Sequence, residues 1–170
     1  MTQSLEWLNA LSADRAEAEL LKCCGSTAWA KRMNESRPFA TRAELAAKAD
    51  QIWRNLSQDD WLEAFRAHPK IGERKAEAAQ SAQAQQWSAQ EQSASQQAAA
   101  ETKAAIADGN QRYERRFGYI FIICASGRSA EDIVAALTDR LSNDQTTELA
   151  VAAEEQVKIT QLRLKKLIES

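Results

Sequence analysis

Residues 119–126 read YIFIICAS, and this run decides the fold class. It is the one β-prone stretch in the chain, bounded by Gly118 and Gly127. A strand needs a partner strand, and the chain offers no second candidate. The run therefore reads as an extended, buried segment between helices. The rest of the chain is helical in pattern, with only two prolines and five glycines to interrupt it. The expected architecture is all-α: a single-domain bundle of about eight helices over residues 1–170, with one extended segment near 119–126.

Outward from that run the periodicities are clear. SLEWLNALS puts Leu5, Leu8 and Leu11 on one side of a short helix, with a break near Ser12. A second helix follows in DRAEAELLKCC, and a third in STAWAKRMNES stops before Pro38. In TRAELAAKADQIWRNL, Thr41 and Glu44 have capping-box spacing, and Leu45, Ala49, Ile52, Trp53 and Leu56 form an apolar stripe. Ser57 caps the next helix, whose acidic first turn suits the helix dipole. Of residues 76–105, 20 of 30 are Ala or Gln, so low complexity competes with helix. Helix is favoured because both are good helix formers and Trp87 sits among them. Ser88 and Glu91 have capping-box spacing, so a helix is expected to start there. It would run about 40 Å to Arg116 at ~1.5 Å per residue, with Gly109 as its candidate break. SAEDIVAALTDRL is a capped helix with Ile133, Val134, Leu137 and Leu141 inward. The last helix spans about Gln145 to Ile168. On it Leu149, Ala152, Ala153, Ile159, Leu164 and Leu167 share a face, opposite Glu154, Glu155, Lys158, Lys165 and Lys166.

Composition excludes several function classes. The net charge is −2 and charged residues make up 27%, with a pI near 5.6. Nucleic acid and anionic membranes are poor partners for such a chain. No run of 18 apolar residues suggests a membrane span. MTQSLEWLNAL has no basic region or signal core, so a cytoplasmic location is expected. Three cysteines, two of them adjacent, argue against a disulfide framework. With one histidine and no CxxC, no metal site is expected. No Walker motif or GxSxG elbow appears. The oligomeric state is not set by the sequence; a homodimer is one option it leaves open.

A few polar residues break the pattern. His68, the only histidine, is followed by Pro69, which disfavours helix at His68 and so ends the preceding one. An imidazole there is either a satisfied structural group or a proton-transfer group. Arg163 falls inside the apolar face of the last helix, between Ile159 and Leu167. A buried guanidinium needs an anion, from a protein carboxylate or from a ligand. Glu91 either closes a cap onto Ser88 or binds a substrate. Cys124, in its apolar run, reads as a packed thiol, with a Cys–His pair as the weaker alternative. Lys70 and Arg74 stand beside His68 and could hold an anion, although such charges are usually solvated.

Five stretches carry a resemblance: CCGSTAWAKRMNESRPF (23–39), AHPKIGE (67–73), WSAQEQ (87–92), RFGYIFIICASGRS (116–129) and SNDQTTELAVAAEEQVKITQLRL (142–164). In this order they resemble the 2-oxo-4-hydroxy-4-carboxy-5-ureidoimidazoline (OHCU) decarboxylases of urate breakdown, from about Leu5 to Leu167. The resemblance implies an all-α fold and a decarboxylation of OHCU to (S)-allantoin without cofactor or metal. It implies His68 and Glu91 as catalytic. Pro69, Ser88, Gln92, Phe121, Ile122, Ile123, Cys124, Ala125 and Arg163 would bind the small-molecule substrate. One departure is visible: Ile120 stands where the family often has a proline. A hydrolase of a ureido compound and a non-catalytic helical module are the competing readings. Ammonia or urea release would mark the first, and a His68 remote from any pocket the second.

Overall fold

A computed structural model describes residues 3–73 and 80–169. Among these there are ten helices and no strand: α1 Leu5–Ala10, α2 Ala13–Cys23, α3 Thr27–Glu35, α4 Arg42–Arg54, α5 Gln58–Arg66, α6 Ala82–Glu91, α7 Ser93–Gln96, α8 Ala100–Phe117, α9 Ala130–Arg140 and α10 Gln145–Leu167. The all-α expectation holds, with ten helices in place of about eight. The chain forms two compact units, Met1–Ala64 with Val157–Ser170, and Phe65–Gln156.

The first unit packs as its periodicity requires. Leu5 and Leu8 of α1 are buried, and so are Leu45, Ala49, Ile52 and Trp53 of α4. α1 ends at Ala10, which leaves Leu11 as its extended cap and only half-buried. Ser26 caps α3 by accepting from the Trp29 amide. Thr41 caps α4 by accepting from the Glu44 amide, while the Glu44 carboxylate reaches one residue further back, to the Ala40 N–H. Trp29 is fully buried, and its indole N–H donates to the Ala49 carbonyl at 3.1 Å, which satisfies its one polar atom. Arg37 Nη1 donates to the carbonyls of Leu8, Asn9 and Leu11, which lie beyond the reach of α1's own amides.

The second unit is built around the extended segment. Ile120, Phe121, Ile122, Ile123 and Ala125 are buried and Cys124 is partly so. Phe121, Ile123 and Ala125 join Ile71, Ile106, Tyr113, Phe117, Ala130, Ile133 and Leu137 in one apolar cluster. Val134 and Leu141, expected inward, pack against this cluster while partly exposed. α9 has a full capping box between Ser129 and Asp132. α8 ends at Gly118, whose φ of +82° is the left-handed conformation that glycine adopts without strain.

No helix starts at Ser88: α6 begins after Ser81, which accepts from the Ala84 amide, and Ser88 lies inside it. Glu91 is the last residue of α6, not the third residue of a cap. The expected helix from 88 to 116 is three helices, divided around Gln92 and again before Ala100. Gly109 does not break α8. It is buried, and a Cβ there would lie 2.9 Å from Leu137 Cδ1, so its role is close approach of α8 to α9. Residues 76–79 of the Ala/Gln-rich stretch lie outside the described residues.

Candidate active site

His68 lies two residues past the end of α5. The helix stops at Arg66, as Pro69 requires, and the His68 amide donates to the Phe65 carbonyl at 3.1 Å. The ring is nearly buried, at 9% exposure. Its Nε2 lies 2.7 Å from Oε1 of Gln156, a residue of α10 with no exposed surface. The Ala67 carbonyl, next to His68, accepts from the Gln80 side chain just before α6. That bond ties the loop carrying His68 to the helix carrying Ser88 and Glu91.

Ser88 is buried on α6, Glu91 is partly exposed at its last turn, and Gln92 caps its end. Gln92 is buried, and its Oε1 accepts the Gly72 amide at 3.0 Å, which fixes the turn after Pro69. Gly72 itself has φ of +90°, a conformation this turn demands of a glycine. A cavity of about 410 Å³ is lined by Pro69, Ser88 and Gln92, together with Glu73, Gln85 and Gln96. These are three of the expected substrate-binding residues on one surface. The Lys70 ammonium pairs with Glu114 at 2.8 Å. Arg74 lies outside the described residues.

The segment 121–125 is held by charged side chains behind it. The Ile122 carbonyl accepts from Arg140 Nη1 at 2.7 Å. The Arg140 guanidinium also lies 4.4 Å from the Phe121 ring centroid. Arg140 in turn donates from Nε to Glu148 Oε1 at 2.7 Å, and the same oxygen accepts from the Tyr113 hydroxyl at 2.5 Å. Burial, followed by the bond to Glu148, pushes the Tyr113 hydroxyl well above its ordinary value, so it remains a donor. Further along, Glu155 accepts the Cys124 amide at 3.3 Å and pairs with Arg128 at 3.4 Å. Glu155 was expected on the exposed face of α10 but is only 5% exposed. The wheel missed it because α10 is covered on more than its apolar stripe.

Arg163 is buried as its position implies, at 3% exposure, and belongs to the first unit. Its Nη1 donates to the Lys22 carbonyl at 3.2 Å. Its charge also bears on Cys23 and Cys24, opposing the burial that pushes both thiols up. None of the three cysteines is in a disulfide. Gln156, Glu155, Arg140 and Glu148 were not singled out for the site by the sequence. For Gln156 the signal was present: it lies four residues after Ala152, three before Ile159 and seven before Arg163, a second polar residue in the apolar stripe.

A family model described as OHCU decarboxylase matches residues 9–165. The chain is 40% identical over 158 residues to the uric acid degradation bifunctional protein TTL of Arabidopsis thaliana, covering 92% of this chain and 48% of that protein. It thus spans about half the length of that relative. It is 30% identical over 137 residues to the 2-oxo-4-hydroxy-4-carboxy-5-ureidoimidazoline decarboxylase of Haloferax volcanii, covering 79% and 77% of the two chains. A crystal structure of OHCU decarboxylase in the presence of (S)-allantoin matches with a TM-score of 0.78 and 39% identity, over 90% of this chain and 99% of that one. The motifs, the helical fold and these matches agree, and the chain belongs to the OHCU decarboxylase family of carboxy-lyases.

Proposed function

We propose that the chain converts OHCU to (S)-allantoin, without a cofactor, as a step of urate degradation. The observation that carries this reading is the family match across residues 9–165. That match spans parts of both compact units, which supports residues 1–170 acting as one decarboxylase domain. The reading keeps the cytoplasm as its location, which fractionation tests. A homodimer is the assembly to look for first, by light scattering on the purified chain.

The substrate's own chemistry explains why no external electron sink is required. A hydroxyl and a carboxylate share one ring carbon beside a C=N bond. When the bond to the carboxylate breaks, its electron pair forms a C=C bond with the neighbouring carbon, and the nitrogen takes a proton. The enol then loses its hydroxyl proton to become the ring amide carbonyl, and the ureido-bearing carbon takes a proton on one face. The protein has to orient the carboxylate, manage the hydroxyl proton and deliver the last proton with one hand.

In this reading His68 lies against the hydroxyl-bearing carbon and acts as the acid. A nearly buried imidazole in a fixed orientation suits proton transfer near neutral pH. Glu91 receives ring or ureido N–H groups. Its place at the end of α6, where the helix dipole disfavours a carboxylate, supports this. Pro69, Ser88 and Gln92 line the substrate's cavity. Backbone N–H groups of 121–125 meet the ring carbonyls, except that of Cys124, which Glu155 takes. Arg163 remains a substrate-binding candidate, tested by Arg163→Met.

The test is to add freshly prepared OHCU and follow its absorbance decay and carbon dioxide release against the uncatalysed rate. His68→Asn should lower turnover by about 100-fold or more, the scale of general acid–base contributions. A folded His68→Asn protein with near-normal turnover would remove His68 from this role.

A further inference from the structure

The Gln156 carboxamide lies against the His68 ring at Nε2. Burying a carboxamide completely is costly unless it is hydrogen-bonded, so its contact with the ring is a built feature. A carboxamide oxygen can only accept. The 2.7 Å contact of Oε1 with Nε2 of His68 is a hydrogen bond in the tautomer that carries its hydrogen on Nε2. In the neutral ring the lone pair is then on Nδ1.

We propose that Gln156 is a positioning residue that fixes His68 as the Nε2–H tautomer, so that proton exchange with the substrate runs through Nδ1. The proposal rests on the reading of His68 as the proton-transfer group. The step balances without another reactant. Starting from the imidazolium, the Nδ1–H bond breaks and the C=C pair forms the new C–H bond to that proton at the ureido-bearing carbon. The hydroxyl O–H bond then breaks, Nδ1–H re-forms and the oxygen pair completes the carbonyl. Through both transfers the Nε2–H stays on Gln156, and the ring cannot rotate to offer the wrong nitrogen. Partners that orient functional histidines in this way, as around metal-ligating imidazoles, matter by about 10- to 100-fold.

The chain has a single histidine, so ¹⁵N-histidine labelling gives ring signals from His68 alone. In the intact protein, above the pH at which the ring titrates, Nε2 should show the shift of a protonated nitrogen and Nδ1 that of an unprotonated one. Gln156→Leu should bring the two shifts together as tautomers mix. Its kcat should fall about 10- to 100-fold, with KM changed far less. Gln156→Glu, which keeps an acceptor, should retain the Nε2 proton and recover part of kcat. A hydrogen on Nδ1 in the unaltered protein overturns the proposal, and that spectrum needs no variant to fold. So does a folded Gln156→Leu with unchanged tautomer and unchanged kcat. Failure of the underlying reading looks different: His68→Asn stays active, and kcat is unmoved by Gln156→Leu even though the ring signals shift.

Discussion

Arg140 Nη2 and Glu148 Oε1 lie 2.6 Å apart, with 9% and 0% of their side chains exposed. The pair stands behind the extended segment, since the same guanidinium holds the Ile122 carbonyl. Removing one member leaves the other charged and buried. Glu148→Gln or Arg140→Met should therefore cost about 3–5 kcal/mol, a scale typical of broken buried pairs. Denaturant melts followed by circular dichroism check this. A loss under about 1 kcal/mol would mean the pair is solvated, as exposed ion pairs are.

Glu91→Gln separates binding from stability. Glu91 ends α6, where a carboxylate meets the negative end of the helix dipole. Neutralising it should leave stability unchanged or raise it by roughly 0.3–1 kcal/mol. Turnover should nevertheless fall steeply, because a neutral amide cannot replace an ionised acceptor of substrate N–H groups. Thermal melts and OHCU decay on the same preparation give both readouts. Unchanged turnover would take Glu91 out of the site.

The cysteines should split into two classes. Burial pushes the Cys24 thiol up to about 12 and raises Cys23 as well, against the opposing charge of Arg163. Both should resist alkylation in the native protein near pH 8, while the partly exposed Cys124 reacts. Mass spectrometry of the alkylated chain should find one label native and three after denaturation. The folded state favours the protonated thiols. Their contribution to stability is therefore intact below the ordinary thiol pKa and is lost as pH rises toward about 12. If 121–125 forms the substrate wall, a bulky label on Cys124 should also lower turnover.

Local signals carried most of the fold. The lone β-prone run, the caps at Thr41 and Ser129 and the proline after His68 each depend on neighbours in sequence, so they were legible there. The Ser88 misreading shows the limit. Ser81 and Ser88 are seven residues apart, two helical turns, and both can accept a backbone amide three residues on. Residue type alone did not tell the true start from a position inside the helix. Glu155 and Gln156 show a second limit. A helical wheel finds the apolar stripe, but what a polar residue within or beside it packs against is set by other elements, here Arg128 and the Cys124 amide for Glu155 and the His68 ring for Gln156. Arg163 was flagged because a charge stands out in such a stripe; a glutamine in the same stripe does not.

The handedness of the product tests the central claim most directly. OHCU supplied to the purified chain should give (S)-allantoin, read as a circular dichroism signal that grows as OHCU absorbance falls faster than in buffer. His68→Asn should lose the excess rate and the signal together. Racemic allantoin formed at the uncatalysed rate by the folded, unaltered chain would contradict the account.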